Sequence, residues 1–236
     1  MTSYDDELMD SPEGVKLPFA DRREAGQLLA SRLGRFAGRN REVIVLGLPR
    51  GGVPVAFEVA HALRLPLDVY VVRKLGSPGF EELAMGAIAS GGIRILNQKV
   101  IDELHVDEGQ VESVTAAETA ELRRRETAYR QDRPAPLLEG RTAILVDDGL
   151  ATGSTMRAAI VSLHAQQARE VIVAVPVAPL DTCLELDRES DGAVCLATPQ
   201  PFLAVGQWYE EFSPPSDEEI RELLRRNAAE MAAVSG

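Results

Sequence analysis

The sequence predicts one α/β domain built on a doubly wound parallel sheet, with an α-rich insertion and a C-terminal helical appendage. Three observations carry this. An apolar run, a glycine break, an amphipathic helix and a second apolar run follow one another between Glu42 and Val72. The same order of parts returns between Thr142 and Val177. Strand–helix–strand succession of this kind is the signature of a parallel sheet covered by its crossover helices. The apolar run Ala143 to Val146 also lacks polar alternation, as a strand buried on both faces does.

Taken in order, Asp21-Arg22-Arg23-Glu24 opens a helix with a capping residue and a carboxylate three positions on. Leu28, Leu29, Leu33 and Phe36 then share its buried face. Glu42 to Leu48 is the first strand. Gly51-Gly52 breaks it, and Pro54 lies in the opening turn of the next helix, where proline is tolerated. Val55, Val59 and Leu63 give that helix its apolar stripe, and Leu67 to Val72 is the second strand. Gly76, Pro78 and Gly79 predict a mobile loop. Met85–Ala89 and Ile93–Leu96 read as short strands around Gly91-Gly92. Asn97–Leu104 reads as a short helix and Asp107–Arg130 as a long one, closed by Pro134 and Pro136. Thr142–Val146, a helix marked by Met156, Ile160 and Leu163, and Val171–Val177 (ended by Pro176 and Pro179) form the second unit. A helix at Leu180–Leu186 and a strand at Ala193–Ala197 follow. The stretch from Pro199 to Phe212 is irregular and aromatic. Ser216 and Glu219 begin a terminal helix running through Ile220, Leu223, Leu224 and Met231. The expected organisation is a tail at 1–18, a domain at 19–212 with its insertion at about 97–136, and a terminal helix within 213–236.

The chemistry concentrates in Ile144-Leu145-Val146-Asp147-Asp148-Gly149-Leu150-Ala151-Thr152-Gly153-Ser154-Thr155. Two acids sit at the carboxyl end of a buried strand, where open α/β sheets bind ligands. Ala151, Thr152, Gly153, Ser154 and Thr155 then offer backbone N–H groups, hydroxyls and a helix N-terminus, a combination that favours a phosphate dianion. Asp147 and Asp148 can accept hydrogen bonds from vicinal sugar hydroxyls. Leu48-Pro49-Arg50-Gly51-Gly52 follows the first strand at the same sheet edge. Its two glycines are read as permitting unusual backbone angles and free N–H groups, and Arg50 adds a cationic fork. Arg73-Lys74 ends the second strand, either as part of the site or as a solvated strand end. Trp208, the single tryptophan, either stacks on a planar ligand or anchors the terminal helix. Glu81 and Glu82 carry no assigned role.

Composition narrows the function classes. The chain has 236 residues, 45% hydrophobic and 26% charged, ordinary for a globular protein. Its net charge of -12 argues against general nucleic-acid binding, and an anionic ligand must be drawn in by local basic groups. No apolar run is long enough for a membrane span, and Met1 to Pro18 lacks the apolar core of a signal peptide. Cytoplasmic residence is the expectation. The only cysteines, Cys183 and Cys195, are expected reduced and buried. His61, His105 and His164 are scattered on predicted helices, so no transition-metal site is expected. Serine-hydrolase and Walker-loop patterns are absent.

The twelve residues from Ile144 to Thr155 resemble the phosphoribosyl pyrophosphate (PRPP) signature of type I phosphoribosyltransferases. Leu-Pro-Arg-Gly-Gly-Val-Pro through Arg-Lys-Leu-Gly-x-Pro-Gly to the acidic motif resembles a bacterial group of that family without an established acceptor. The resemblance spans about Phe19 to Phe212. It implies magnesium-dependent pentosyl transfer from PRPP to a small nitrogen acceptor, with Mg²⁺ bound mainly through the substrate phosphates and water. Thr152 to Thr155 would then hold the 5-phosphate, and Asp147 and Asp148 the ribose hydroxyls. Arg50, Gly51, Gly52, Arg73 and Lys74 would face pyrophosphate, and Trp208 the acceptor. The family's pyrophosphate loop often contains a cis peptide without proline, expected here at Arg50–Gly51 or next to it. Branches that use 6-oxopurines commonly carry an aspartate at the position of Ala151, so a hypoxanthine-guanine acceptor is disfavoured. A homodimer is compatible with the same resemblance. A non-catalytic PRPP-binding regulator and a ribose-phosphate hydrolase are the competing readings.

Overall fold

Five strands, β1 (Val43–Gly47), β2 (Leu67–Val69), β6 (Thr142–Val146), β7 (Glu170–Val177) and β8 (Ala193–Ala197), form one sheet in the order β2-β1-β6-β7-β8. All four pairings are parallel. The computed structural model describes residues 15–131 and 133–235. Successive side chains of each strand point to opposite faces, so the sheet feeds two hydrophobic layers. Val43, Val45, Ile144 and Val146 pack against α1 (Arg22–Arg32), α2 (Gly52–Leu63) and α7 (Asp217–Ser235). Ile44, Leu46, Leu145 and Val173 pack against α5 (Ser154–Ala165) and α6 (Leu180–Glu189). Helices on both faces of a parallel sheet are the doubly wound arrangement expected from the sequence.

The helix starts follow their capping residues. Asp21 accepts from the Glu24 N–H at 2.8 Å, while the Glu24 carboxylate turns back to the Ala20 N–H at 2.6 Å. Ser216 accepts from the Glu219 N–H at 3.1 Å. In α7 the buried Asn227 docks the helix on the sheet edge. It accepts from the Leu67 N–H at 2.8 Å and donates to the Leu65 carbonyl at 3.0 Å, so backbone groups beside the edge strand are satisfied by a side chain.

The second strand is shorter than expected. The reading Leu67–Val72 merges β2 with the start of β3 (Val72–Ser77), which belongs to a separate antiparallel sheet in the order β3-β4-β5. The chain leaves the main sheet at Tyr70, whose hydroxyl lies 2.7 Å from Ser162 Oγ. Val71 then exchanges hydrogen bonds with Ser90 at 2.8 and 2.9 Å. Apolar character alone does not mark that switch. The mobile loop expected around Gly76 to Gly79 is instead the tip of a hairpin between β3 and β4 (Phe80–Ala89). A Cβ on Gly76 would lie 2.7 Å from the Glu81 carbonyl oxygen, so this glycine serves strand approach at a bulge. β5 (Ile93–Leu96) completes the small sheet.

The inserted helices are α3 (Gln98–Glu103) and α4 (Glu108–Arg130); His105 lies just beyond α3 with φ 52°, outside the helix expected to carry it. Arg130 fastens the end of α4 to the main sheet. Its Nε donates to both Asp68 oxygens at 3.0 Å, Nη1 reaches Glu126 at 2.9 Å, and Nη2 donates to the Val69 carbonyl at 2.9 Å.

Two further expectations are corrected. Cys183 and Cys195 are not free thiols; they form a disulfide that ties α6 to β8, with Cα atoms 6.5 Å apart. Pro176 lies within β7 and does not end it. On the β6 side the pairing finishes at Ala174, so the missing proline N–H costs no ladder bond there. The expected tail at 1–18 falls mostly outside the described residues, but Val15 and Leu17 pack against the core.

Candidate active site

The order of the main sheet reverses direction between β1 and β6, and the crevice beyond such a switch point is where open α/β sheets place ligands. The register pairs Gly47 with Val146, and the Leu48 N–H donates to the Val146 carbonyl at 2.9 Å. The Pro49–Gly52 loop and the acidic loop therefore leave the sheet side by side. Pro49–Arg50 is a cis peptide with no proline on its C-terminal side, next to the expected Arg50–Gly51 bond.

The two glycines have a different reason from the one expected. Gly51 has ordinary helical angles (φ −60°), and the Gly52 N–H donates to the Leu48 carbonyl at 3.0 Å. What requires glycine is proximity. A Cβ on Gly51 would lie 2.0 Å from Asp148 Oδ2, and one on Gly52 would lie 2.6 Å from the Val146 carbonyl oxygen.

Asp147 is half-buried, and its Oδ1 accepts from the Asp148 N–H at 2.9 Å. Burial, and then the neighbouring Asp148 charge, raise its pKa well above the usual carboxylate range. Burial raises Asp148 as well, but Arg22 opposes the shift. The Arg22 Nε lies 2.8 Å from Asp148 Oδ2, its Nη1 donates to the Ser213 carbonyl at 2.8 Å, and its guanidinium carbon sits 4.0 Å from the Phe212 ring centroid. Tyr209 donates its hydroxyl to the Asp148 carbonyl at 2.5 Å. The aromatic stretch after β8 thus braces the acid pair from behind.

The next loop opens α5. Gly153 takes the left-handed conformation (φ 70°) as N-cap, while Ala151, Thr152, Ser154 and Thr155 are exposed. Thr152 Oγ1 and Ser154 Oγ lie 3.1 Å apart. Two carbonyls of the loop are tied down. Thr182 Oγ1 donates to the Ala151 carbonyl at 3.1 Å, and Arg157 Nη1 donates to the Thr152 carbonyl at 2.5 Å. Arg157 is itself held by Glu185 at 2.5 Å and Glu189 at 2.9 Å on α6. With the carbonyls held back, the exposed N–H and hydroxyl groups remain for an incoming anion.

The remaining candidates lie at the margins. Lys74 is exposed on β3, and its neighbour Arg73 is paired with Glu118 of α4 at 2.7 Å. Arg50 is exposed, with no ion pair among the described residues. Trp208 is half-buried, its ring centroid 6.2 Å from that of Phe202, and packs against the core cluster that contains Ile220 and Leu224 of α7. Sequence reasoning misses Arg22, Arg157, Thr182 and Tyr209 as site residues. Arg157 has a local signal, one helical turn after the loop; the other three reach the site only through tertiary packing. Among the described residues no group of three or more His, Cys, Asp or Glu is placed to hold a metal ion, and no helix is long and apolar enough to cross a membrane.

A parallel sheet with paired acids and a hydroxyl-rich helix N-terminus at its switch point defines an α/β protein with a candidate anion site at that crevice. Residues 22–194 match the phosphoribosyl transferase domain family, and the chain belongs to it. It is 47% identical over 219 residues to "Putative phosphoribosyl transferase Rv0571c" of Mycobacterium tuberculosis H37Rv, and equally to its counterpart MT0597 in strain CDC 1551. Each alignment takes in 92% of this chain and 49% of the relative, so the chain spans about half the length of the curated relatives it matches. The crystal structure of TT1426 from Thermus thermophilus is similar throughout, with 41% identity, a TM-score of 0.78, and coverage of 89% of this chain and 99% of that one.

Proposed function

We propose that this protein transfers the 5-phosphoribosyl group of PRPP to a nitrogen acceptor, releasing pyrophosphate. The observation that carries the reading is the adjacency of the two loops. The acid pair and phosphate loop after β6 and the Arg50 loop after β1 are joined at Leu48 N–H to Val146 carbonyl, 2.9 Å. That spacing suits a ligand with phosphate at one end, ribose in the middle and pyrophosphate at the other.

In this reading Thr152 to Thr155 bind the 5-phosphate through N–H and hydroxyl groups. Asp147 and Asp148 orient the ribose hydroxyls, and Arg22 opposes the burial that favours the neutral form of Asp148. Breaking the anomeric C–O bond leaves positive charge on the ribose and negative charge on pyrophosphate. The acceptor nitrogen then supplies the electron pair for the new C–N bond. Arg50, Lys74 and the Gly51–Gly52 segment stabilise the departing charge, and positioning does the rest. Two adjacent carboxylates, with no third metal-ligating side chain beside them among the described residues, fit a magnesium ion carried mainly by substrate phosphates and water, which would supply charge neutralisation when bound. Ala151 offers no side-chain base, so the acceptor nitrogen must already be a competent nucleophile or lose its proton elsewhere.

The test is calorimetric titration of PRPP with Mg²⁺, followed by a pyrophosphate-release screen across nucleobase-like acceptors. Binding with acceptor-dependent release supports the transferase and names its substrate class. Binding without release across the screen favours the regulator. Failure of folded protein to bind PRPP overturns the proposal, as does unchanged binding by the Asp147→Asn/Asp148→Asn variant.

A further inference from the structure

Beside Arg50 a cleft of about 220 Å³ is bordered by Arg50, Arg124, Arg125, Tyr129 and Asp217. Three guanidinium groups converge there in a chain whose net charge is -12. Their neutralisation is incomplete. Arg124 gives its Nε and Nη2 to Glu121 at 2.7 and 2.9 Å, and Arg125 gives only its Nε, to the same carboxylate at 2.8 Å. The Arg124 Nη1 and both terminal nitrogens of Arg125 have no protein acceptor among the described residues, nor does Arg50. Asp217, the one acid bordering the cleft among the described residues, receives the Tyr129 hydroxyl at 3.2 Å and partly offsets the Arg124 charge. The arrangement is held in place at its back, because Arg130, five residues beyond Arg125, locks α4 to Asp68 and the Val69 carbonyl.

We propose that this cleft is an oxyanion subsite for a phosphate-class group, with Arg124 and Arg125 of the inserted helix as its ligands and Arg50 shared with the loop after β1. Several planar donor forks around a small cleft suit a group that presents oxygens in three directions, which a carboxylate does not. The chemistry comes from one of two sources: the far phosphate of the pyrophosphate moiety of PRPP, or a separate inorganic phosphate or pyrophosphate. The cleft itself does not depend on the phosphoribosyl reading; only the substrate source rests on it.

The experiment compares wild type, Arg124→Gln/Arg125→Gln and Asp147→Asn/Asp148→Asn by calorimetric titration with inorganic pyrophosphate and, separately, with PRPP. Arg124 is exposed and Arg125 half-buried at the surface, so their variant should fold, and circular dichroism checks it. The arginine variant should bind pyrophosphate about tenfold or more weakly, while the aspartate variant binds it at least as well as wild type. If PRPP affinity falls in parallel in the arginine variant, the substrate's own pyrophosphate fills the cleft. If PRPP affinity stays unchanged, the cleft takes a separate anion. Equal pyrophosphate affinity in wild type and the arginine variant overturns the proposal, as does absence of binding to wild type at millimolar concentration. Failure of the transferase reading is distinguishable, since wild type would then ignore PRPP yet bind pyrophosphate through Arg124 and Arg125.

Discussion

Arg22 and Asp148 stand 126 residues apart in the chain, yet the guanidinium Nε lies 2.8 Å from the carboxylate, with both side chains largely withdrawn from water. One end of the candidate site is therefore set by the first turn of α1. Phe212 and the Ser213 carbonyl hold the arginine there.

Arg22→Gln leaves a desolvated carboxylate without its charge partner. Breaking such a pair should cost about 3 kcal/mol, read as a lower denaturant midpoint. Arg22 holds the Asp148 pKa down against burial, so its loss raises that pKa. The acid limb of a PRPP-binding pH profile should move to higher pH. A profile identical to wild type would remove Arg22 from the positioning role.

Asp147→Asn should stabilise the fold while abolishing PRPP binding. The native Asp147 pKa lies above that of the unfolded chain because burial disfavours its charge. The native state therefore holds more protons, and stability falls as pH rises from the unfolded value through the native one. Asparagine removes that loss and can still accept the residue-148 N–H. At pH 7 the melting temperature should rise by about 2–4 °C, the shift that ~1 kcal/mol produces in a chain of this size. The gain should vanish in acid, below both pKa values. A lower melting temperature at pH 7 would contradict this account of the buried charge.

Gly51→Ala tests close approach without backbone strain, since Gly51 already has helical angles. The new methyl would collide with Asp148 Oδ2, and PRPP affinity should fall by about tenfold or more. In the Asp148→Ala background, itself destabilised by the unpaired Arg22, Gly51→Ala should cost less stability than it does in wild type, without restoring binding. Additive stability losses in the double variant would place the clash elsewhere.

Thr182→Val removes the donor to the Ala151 carbonyl at little change in volume. One hydrogen bond of about 1 kcal/mol predicts a several-fold weaker PRPP affinity with a small stability change. Affinity equal to wild type would show that the loop keeps its shape without α6.

Replacing Cys183 and Cys195 with serine opens a twelve-residue separation. Loop-closure entropy puts the cost at about 3 kcal/mol, measurable as a lower midpoint that no longer responds to reductant. A wild-type midpoint equally indifferent to reductant would show that the bond does not form in solution.

The sequence announces the parts of this site whose chemistry is local. Asp147, Asp148 and the Thr152–Thr155 loop are contiguous, and two apolar runs with glycine breaks place them at a sheet edge. The β3–β4 hairpin is hidden because Gly76, Pro78 and Gly79 are turn and bulge residues as readily as loop residues. The disulfide is hidden because two cysteines carry no distance information until α6 is laid along β8. Arg22 is visible as part of a helix cap, but its reach to Asp148 depends on where the chain returns after β8. The glycines of the β1 loop stand out in the sequence as necessary, although the reason is a neighbouring carboxylate and not an unusual angle.

The ladder between β1 and β6 also limits how this chain can vary. Inserting or deleting one residue in either strand would turn every side chain beyond it to the opposite layer, and would carry one loop out of step with the other. Length is thus frozen in these ten residues. Variation that retunes the partner molecule can accumulate in the hairpin, the inserted helices and the stretch after β8, leaving the spacing between the two anion-handling loops untouched.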